Sequence, residues 1–373
     1  MAGTVSPGGV VLAHGAGARP RTTAAVVDRR AREDIEQLLL VPGATRSSGA
    51  GDRRRPEEPD PLRTCFERDR DRILHSSAFR RLAGKTQVFV FPRDHQRTRL
   101  THALEVAQVA TAVARATGLN VALTEAIALG HDCGHGPGGH ASERAFTPYL
   151  PEGYNHAVWG ADVVLAPLNL CTETLDGVRH HSWSLPSPRT PEGAVVSWAD
   201  RCAYCAHDLE DAASIGIVRP DELPADVVQI AGPRRSSQLR CFINALVECI
   251  ATTGEVGMDE SSAGALASLR KFNYERIYTR PASETQGRAV VAVLSALVDF
   301  FASNPGRASN AGPRGPGDGG DGSQPPAEGA AVRRAITYVG GMTDRFAFRT
   351  AVELLGWDPA KLPHGIDSSA DPF

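Results

Sequence analysis

Imidazole and carboxylate side chains recur at three separated points of the sequence. They lie near the start of one candidate helix, at the end of the next and midway along a third: His102, His131 with Asp132, and Asp200. Two imidazoles and two carboxylates suit Mn²⁺, Fe²⁺, Co²⁺, Ni²⁺ or Zn²⁺, and suit Mg²⁺ less comfortably. Three helices that converge on one point can supply such a ligand set. The series therefore predicts a divalent metal site.

Helical patterns surround each of these positions. Residues 101–117 carry apolar side chains on one stripe, followed by a glycine stop. Residues 121–131 form the next pattern, which ends in the run H-D-C-G-H-G-P-G-G-H. Four glycines and a proline there forbid regular helix. Residues 193–216 predict a long helix on which Asp200 and Asp208 share one broad face.

The sequence divides into four segments. Residues 1–60 are rich in Gly, Ala, Arg and Pro and predict a disordered extension. Residues 61–303 hold the helical patterns, with a short strand expected at 87–91 (Q-V-F-V-F). Residues 304–330 are of low complexity and cannot bury apolar surface, so we expect a disordered insertion. Residues 331–373 should form a helical segment that packs on the same domain. Helices dominate, and we predict one all-α domain.

Composition narrows the classes of function. The formal net charge of −3 does not favour a surface that coats a polyanion. Seven cysteines, an odd number scattered along the chain, do not form a disulfide framework. No apolar run approaches the roughly 20 residues that a membrane span needs, and the N-terminus lacks the apolar stretch of a signal peptide. We therefore expect a reduced, cytoplasmic setting and no membrane.

Several motifs together resemble one family. The longest are R-T-R-L-T-H-A-L-E-V-A, E-A-I-A-L-G-H-D-C-G-H-G-P-G-G-H-A-S-E and V-V-S-W-A-D-R-C-A-Y-C-A-H-D-L-E-D-A. Shorter ones are F-R-R-L-A-G-K-T-Q-V, K-F-N-Y-E-R-I-Y and G-G-M-T-D-R-F-A. In this order they resemble the HD-domain superfamily, specifically the deoxyguanosine triphosphate triphosphohydrolase group. The resemblance covers residues 68–357 except the low-complexity insertion. It implies an HD-domain helical bundle with additional C-terminal helices.

The resemblance assigns roles to the chemistry-bearing residues. It implies these metal ligands: His102, His131, Asp132 and Asp200. It places His140 at the scissile bond between the α-phosphorus and oxygen, with Glu143 orienting or polarising it. That pairing is physically reasonable, since residues three apart face the same way on a helix and a carboxylate raises the basicity of an imidazole.

Seven further residues are assigned to the nucleotide by the same resemblance: Gln87, Arg99, His135, His156, Arg201, Tyr204 and Asp208. Gln87 and Asp208 would meet the sugar and its 3′-hydroxyl, and Tyr204 would close over the sugar where a 2′-hydroxyl would not fit. The remaining four would contact the triphosphate. From the residues alone, the loop histidines are equally able to cap helix ends, and Arg201 and Asp208 to be surface charges.

The implied reaction is hydrolysis of a deoxynucleoside triphosphate at the α-phosphorus, which releases deoxynucleoside and tripolyphosphate. One divalent ion (Mn²⁺, Mg²⁺ or Fe²⁺) would bind an α-phosphate oxygen and lower the pKa of the attacking water. His140 would assist the proton movement, with Glu143 stabilising its cation. The sequence leaves open which group is the acid and which the base.

Three alternatives remain at this point. One is another HD phosphohydrolase that acts on a nucleoside monophosphate or a guanosine pyrophosphate. A second is cyclic-dinucleotide cleavage at a two-metal site with His135, His140 and His156 as extra ligands. The third is a nucleotide-sensing or nucleic-acid-binding protein with weak turnover. Members of the group often form homo-oligomers and bind nucleic acid, but this chain lacks a basic stripe interleaved with aromatic residues.

One motif departs from the group's pattern. Where the group usually has P-F-G-H, this chain has P-G-G-H, so Gly138 replaces an aromatic residue. We expect this change to loosen the loop that carries His140 and to widen the pocket. Selectivity for the base is the property most affected by such a change.

Overall fold

The computed structural model of the protein describes residues 4–5, 9–14, 22, 25–92, 95–308 and 328–364. Within these residues the chain forms sixteen α-helices and one antiparallel pair of two-residue strands, Thr4–Val5 and Val11–Leu12. The predicted all-α fold is confirmed. The helices are, in chain order, α1 Arg29–Leu39, α2 Cys65–His75, α3 Ser77–Arg81, α4 Arg99–Thr117, α5 Val121–Gly130, α6 His140–Phe146, α7 His156–Trp159, α8 Thr172–His180, α9 Pro191–Ser214, α10 Ala225–Ile230, α11 Arg235–Thr253, α12 Glu260–Asn273, α13 Pro281–Ser303, α14 Pro305–Ala308, α15 Glu328–Gly340 and α16 Asp344–Leu355.

Local sequence explains where the helices around the predicted site begin and end. Gly118 ends α4 in a left-handed conformation. Two residues later, the Asn120 side chain accepts a hydrogen bond from the Leu123 amide and caps α5. Thr190 caps α9 in the same way, and Pro191 fills its first helical position. These caps set the position of each predicted ligand along its helix.

A first hydrophobic core forms where α4 and α5 pack against each other and against α9, with α2, α8 and α11 around them. Its fully buried side chains include Val106, Val113, Leu123 and Ile127. Gly177 lets α8 approach α5 closely, because a Cβ atom there would lie 2.4 Å from Ile127 Cδ1. Burial of each valine, leucine or isoleucine side chain in this core contributes about 1.5–3 kcal/mol to the stability of the fold. This first core fixes the relative positions of the three helices that carry the predicted ligands.

A second hydrophobic core lies among α6, α13, α15 and α16. Phe146, Val290, Leu294, Ile336 and Phe348 are fully buried in it. The helices after the low-complexity run therefore pack back onto α13 and α6. Because α6 begins at the predicted catalytic histidine, this second core holds that part of the candidate site.

Helix α13 is the one described helix that is long and apolar enough to cross a membrane by length and composition alone. Its Val293, Leu297 and Phe301 side chains are buried within the second core. The central helix of a folded core satisfies the same two criteria, since it too is long and apolar.

The structure differs from the sequence-based expectation in residues 28–60, which are ordered and pack on the first core. The Glu36 carboxylate accepts hydrogen bonds from the Ser47 amide and hydroxyl, at 2.7 and 2.8 Å. Arg53 forms a buried ion pair with Asp69 at 2.6 Å. These contacts join polar side chains, so the spacing of apolar residues in the segment does not indicate them. Of residues 1–27, only 4–5, 9–14, 22 and 25–27 are described; the others, and residues 309–327 of the predicted insertion, lie outside the described residues.

Two local predictions also differ. Residues 87–91 form no strand; they are a series of bends that follows an isolated bridge between Thr86 and Thr98. Apolar spacing over residues 62–82 also predicts one helix with a buried face. The structure instead has the two helices α2 and α3, because Ser76 adopts an extended conformation and its side chain accepts a hydrogen bond from the Phe79 amide. The bends matter most, because they turn Gln87 towards the cavity described below.

Candidate active site

The four predicted metal ligands converge on one point. His102 Nε2 lies 3.0 Å from Asp200 Oδ1, and His131 Nε2 lies 3.7 Å from the same oxygen. Asp132 completes the group, with Oδ1 3.5 Å from His131 Nε2 and Oδ2 3.8 Å from His102 Nε2. Helix α4, the end of α5 and the middle of α9 supply them. The ligand atoms of His102, His131 and Asp200 lie within 4.8 Å of one another, and Asp132 falls in a second such group with His131 and His181.

The donor set fits a divalent metal ion. His131 Nδ1 lies 2.6 Å from the carbonyl oxygen of Ala128, so Nδ1 carries the proton and Nε2 keeps its lone pair. A backbone carbonyl that fixes the tautomer in this way is typical of a metal-binding histidine. His131 Nε2 is fully buried and has no hydrogen-bond partner. A cation at this point would satisfy an atom that is otherwise left without a partner.

Asp132 is held as a carboxylate by its neighbours. Arg99 Nη1 donates to Asp132 Oδ2 at 2.5 Å, and His135 Nε2 lies 3.2 Å from Oδ1. Burial alone would raise the pKa of Asp132, but Arg99 and the adjacent imidazoles hold that pKa well below its usual range. Arg99 was predicted to reach a phosphate oxygen. Its Nη1 is bound to Asp132, while its Nε lies buried without a partner beside the cavity.

Three imidazoles surround one oxygen of Glu143. His156 Nδ1 donates a hydrogen bond to Glu143 Oε1, and the Nδ1 atoms of His140 and His135 lie 3.5 and 3.9 Å from the same oxygen. Burial opposes ionisation, but the hydrogen bonds from His140 and His156 hold the pKa of Glu143 well below its usual range. The His140 side chain is 74% exposed and opens to the cavity. The structure thus brings the predicted catalytic pair together, with His156 as the closest partner of Glu143.

The loop before His140 is braced by the last helix. Asp344 Oδ1 accepts a hydrogen bond from the Gly138 amide at 2.9 Å. Asp344 Oδ2 accepts from the Thr86 amide and hydroxyl at 2.9 and 2.6 Å. The buried Lys85 ammonium donates to the carbonyl oxygens of His135 and, at 2.9 Å, Gly340. The G-G-M-T-D motif therefore supports two walls of the cavity, and Asp344 is not the cap of α16, which begins after Thr343.

Gly138 does not leave an enlarged pocket. It adopts a φ of +70°, and a Cβ atom there would lie 2.4 Å from Val290 Cγ1. Val290 on α13 thus occupies the space next to this position. The expectation that Gly138 loosens the loop is therefore wrong. The loop is held by the hydrogen bonds from the Gly138 amide to Asp344 and from Lys85 to the His135 carbonyl, and Val290 fills the space beside it. Glycine is required here because an L-residue with a side chain would meet both the left-handed backbone and Val290.

One cavity of about 620 Å³ joins these parts. Of the thirteen residues predicted for the site, His131 alone lies behind the wall; the other twelve line it: Gln87, Arg99, His102, Asp132, His135, His140, Glu143, His156, Asp200, Arg201, Tyr204 and Asp208. Helices of the first core supply one wall, and α6 and α13 of the second core supply the other. A volume of this size is in the range of small-molecule sites.

The residues predicted to hold the sugar belong to a buried network of hydrogen bonds at the cavity. Asp208 accepts a hydrogen bond from the Tyr278 hydroxyl at 2.5 Å and another from Arg97. The Tyr204 hydroxyl accepts from Arg270 Nε at 3.0 Å. Tyr278 and Arg270 line the cavity and were missed from the sequence. The motif K-F-N-Y-E-R-I-Y was the available signal for Tyr278, while no pattern marked Arg270.

Unpaired cations line the same cavity. The Arg201 guanidinium stacks over the Trp183 ring, 3.3 Å from its centroid. In the part of the chain that the structure describes, no ion pair to a carboxylate is found for Arg144, Arg201, Arg270 or Arg280, all of which line the cavity. A guanidinium group without a carboxylate partner can bind an anionic ligand such as a phosphate. Trp183 and Arg144 were also missed; Arg144 is one turn beyond His140 on the same helix face.

Comparisons with known proteins agree with this geometry. Residues 99–205 match the HD domain, and residues 256–353 match the phosphohydrolase-associated domain. A deoxyguanosinetriphosphate triphosphohydrolase-like protein of Caldanaerobacter subterraneus subsp. tengcongensis is 38% identical over 327 residues, which cover 86% of this chain and 93% of that protein. Proteins with the same name from Desulfatibacillum aliphaticivorans and Clostridium tetani are 39% and 38% identical, over 73% and 74% of this chain and 84% of each of theirs.

The fold, the donor set and the similarity to known proteins agree. The fold is an all-α bundle with additional C-terminal helices, and a histidine–aspartate cluster that could bind a metal lies at its centre. The HD match spans all four residues of that cluster. The chain belongs to the deoxyguanosinetriphosphate triphosphohydrolase-like family of HD-domain phosphohydrolases.

Proposed function

We propose that this protein hydrolyses deoxynucleoside triphosphates at the α-phosphorus and releases deoxynucleoside and tripolyphosphate. One observation carries the proposal. A single cavity of about 620 Å³ is lined by His102, Asp132 and Asp200 of the cluster, by the His140–Glu143 pair, by a polar network and by four arginines that form no ion pair with a carboxylate among the described residues. The names of the relatives point to a deoxynucleoside triphosphate as well.

The metal-binding part of the proposal rests on four residues: His102, His131, Asp132 and Asp200. When bound there, a divalent ion polarises a phosphate oxygen and lowers the pKa of a bound water. The protein's own contribution is to keep the ligands in the correct protonation state. Arg99 keeps Asp132 ionised, and the Ala128 carbonyl keeps the His131 lone pair on Nε2.

Proton transfer is assigned to His140. Its Nδ1 faces the Glu143 carboxylate, so Nε2 is the atom that can face a substrate in the cavity. A protonated His140 would donate from Nε2 to the departing 5′-oxygen, and the ionised Glu143 would stabilise the imidazolium beforehand. Because Glu143 is held by His156 as well, its carboxylate does not move freely away from His140.

Substrate orientation is assigned to cationic, aromatic and polar side chains that line the cavity. Arg201 and Arg270 would neutralise charge on the triphosphate, where each cation stabilises the transition state as well as the substrate. Tyr204, fixed by its hydrogen bond from Arg270, would lie against the sugar. Gln87 Oε1 is buried without a partner, and a sugar hydroxyl would supply the missing donor.

The test is a product analysis. Purified protein is incubated with each deoxynucleoside triphosphate and Mn²⁺ or Mg²⁺, and the products are separated by anion exchange. We expect tripolyphosphate and deoxynucleoside. Pyrophosphate or orthophosphate as the first product would refute the proposed bond cleavage. Hydrolysis of nucleoside monophosphates or guanosine pyrophosphates, with triphosphates untouched, would favour the alternative substrates instead.

Two variants separate metal binding from proton transfer. His102→Ala should lose both the bound metal and activity. His140→Ala should retain the metal, measured by plasma mass spectrometry, and lose about 10²–10⁴-fold in kcat. A His140→Ala protein with an unaltered rate would remove this residue from the mechanism.

A further inference from the structure

Two buried cysteines lie side by side where the starts of α2 and α8 meet. Cys65 is the first residue of α2, and Cys171 immediately precedes α8. Both are free thiols and almost fully buried. A Cβ atom on Gly51 would lie 2.4 Å from Cys171 Sγ and 3.3 Å from Cys65 Sγ, so the glycine leaves space for both sulfurs. None of the roles proposed for the reaction involves either thiol.

Polar contacts fix the main chain at both cysteines. Asp69, on α2, accepts a hydrogen bond from the Cys171 amide at 2.7 Å. Arg53 donates from Nη2 to the Cys65 carbonyl oxygen at 2.9 Å and pairs with Asp69 through Nη1. One buried ion pair therefore holds the two main chains next to each other. Two cysteines can be joined without backbone movement only when their main chains are already this close.

The two thiols differ in their tendency to ionise. A hydrogen bond from the Cys171 thiol is the main cause that lowers the pKa of Cys65, and one from the Ser48 backbone adds to it, while burial opposes both. The position of Cys65 at the N-terminus of a helix favours a thiolate as well. The contact with Cys65, together with burial, raises the pKa of Cys171. Cys65 is therefore the nucleophile of the pair.

A second pair of buried cysteines lacks these features. Cys202 and Cys205 lie three residues apart on α9, and both are fully buried. Burial raises the pKa of each, so neither thiol has the character of a nucleophile. This pair is an internal control, because it matches Cys65 and Cys171 in burial but not in surroundings.

We propose that Cys65 and Cys171 are a peroxide-reactive dithiol that forms a reversible disulfide. The Cys65 thiolate attacks one oxygen of hydrogen peroxide, the O–O bond breaks, hydroxide leaves and the sulfur becomes a sulfenic acid. The sulfur of Cys171 then displaces hydroxide from this sulfur, and the thiol proton leaves with that hydroxide as water. In total, two thiols and one peroxide give one disulfide and two waters.

The new bond joins the starts of α2 and α8, which both pack on α5, the helix that ends just before His131. The site lies outside the catalytic cavity, since neither cysteine lines it. The inference therefore does not depend on the proposed function. The competing account is a pair of structural thiols that burial protects from oxidants.

Thiol counting and peptide mapping separate the two accounts. The test protein is the full chain with Cys241→Ser and Cys249→Ser, which keeps the five buried cysteines. It is treated with hydrogen peroxide, denatured, alkylated, digested and analysed by mass spectrometry. We expect the five thiols to fall to three, with a linked peptide that contains Cys65 and Cys171. Dithiothreitol should restore all five, and Cys202 and Cys205 should be alkylated throughout.

Single substitutions in the same protein test the order of the two steps. Cys171→Ser removes the resolving thiol, so dimedone should label Cys65 as a sulfenic acid. Cys65→Ser should leave Cys171 as an unlabelled thiol. Cys202→Ser is the matched control and should retain the linked peptide. Labelling of Cys171 in the Cys65→Ser protein would overturn the assignment of the nucleophile.

The parent protein alone decides the main claim. Five thiols that survive the peroxide, or a linked peptide that joins any other two cysteines, would overturn the inference. If a serine variant does not fold, the mapping of the parent protein still gives the answer. None of these readouts uses a nucleotide, so failure to release tripolyphosphate would refute the proposed function without affecting the dithiol.

Discussion

The strongest structural prediction concerns Asp344, which joins the last helix to two walls of the cavity. Replacing Asp344 by Ala removes the acceptor for the amides of Thr86 and Gly138 and for the Thr86 hydroxyl. Asp344 is almost fully buried, so water does not replace these bonds without a local opening. Two buried amides are left without an acceptor.

The expected magnitude follows from those bonds. Each buried donor left unsatisfied costs about 1–3 kcal/mol, which gives about 2–6 kcal/mol for the two amides. Burial raises the pKa of Asp344, which shows that the folded protein also bears a cost for desolvating this carboxylate. Removing that cost offsets part of the loss, and we expect Asp344→Ala to lower the free energy of unfolding by about 3 kcal/mol.

Urea denaturation followed by circular dichroism measures this change. Asp344→Asn keeps one acceptor oxygen and should lose roughly half as much stability. The control is Asp358→Ala, which removes a single exposed cap to the Ala360 amide and should cost about 1 kcal/mol or less. If Asp344→Ala is no more destabilising than Asp358→Ala, the last helix does not brace the cavity and the reasoning is wrong.

Three further predictions follow from the site and its surroundings. Trp183→Ala should raise KM for the triphosphate by about 2- to 30-fold, because the lost stacking on Arg201 is worth about 0.5–2 kcal/mol. Trp183→Phe should recover much of this loss. An effect on kcat alone would contradict the role of Trp183 in binding. Burial, followed by Arg97, lowers the pKa of His207 from 6.5 to about 4. At His207 the unfolded chain therefore binds an extra proton between about pH 6.5 and 4, which should lower the free energy of unfolding by up to about 3 kcal/mol over this range. In acid urea titrations, His207→Gln should lose less stability than the wild type by about this amount. Gly138→Ala should cost about 2–5 kcal/mol, from a left-handed backbone and overlap with Val290, and the costs of Gly138→Ala and Val290→Ala should be less than additive.

The helices were predictable from sequence because their signals are local. Apolar spacing marked α4 and α5, and the glycine after α4 marked its end. The four histidine and aspartate residues of the cluster could be predicted as a set because each lies on a patterned helix or directly after one. Their convergence needed only the close packing of α4, α5 and α9. The local helical patterns are consistent with the way these helices pack, and such a site can therefore be predicted from the sequence.

The missed features depend on pairs that are far apart in the chain. Asp344 is 206 residues from Gly138, and the stacked pair of Trp183 and Arg201 joins a loop to a helix. Residues 1–60 were expected to be disordered because they are rich in Gly, Ala, Arg and Pro, and the polar contacts that order residues 28–60, such as Glu36 with Ser47, are not visible in that composition. A hydrogen bond between distant residues leaves no periodic trace in either segment. Buried polar pairs therefore could not be predicted from the spacing of apolar residues.

The cavity takes one wall from each of two separate cores, and this division has a consequence for substitutions. His102 and Asp200 lie on helices of the first core, whereas Val290 belongs to the second. A substitution on α13 can therefore change its wall of the cavity while the packing around the histidine–aspartate cluster is kept. The position of Val290 is the exception, because it lies against Gly138 in the loop before His140.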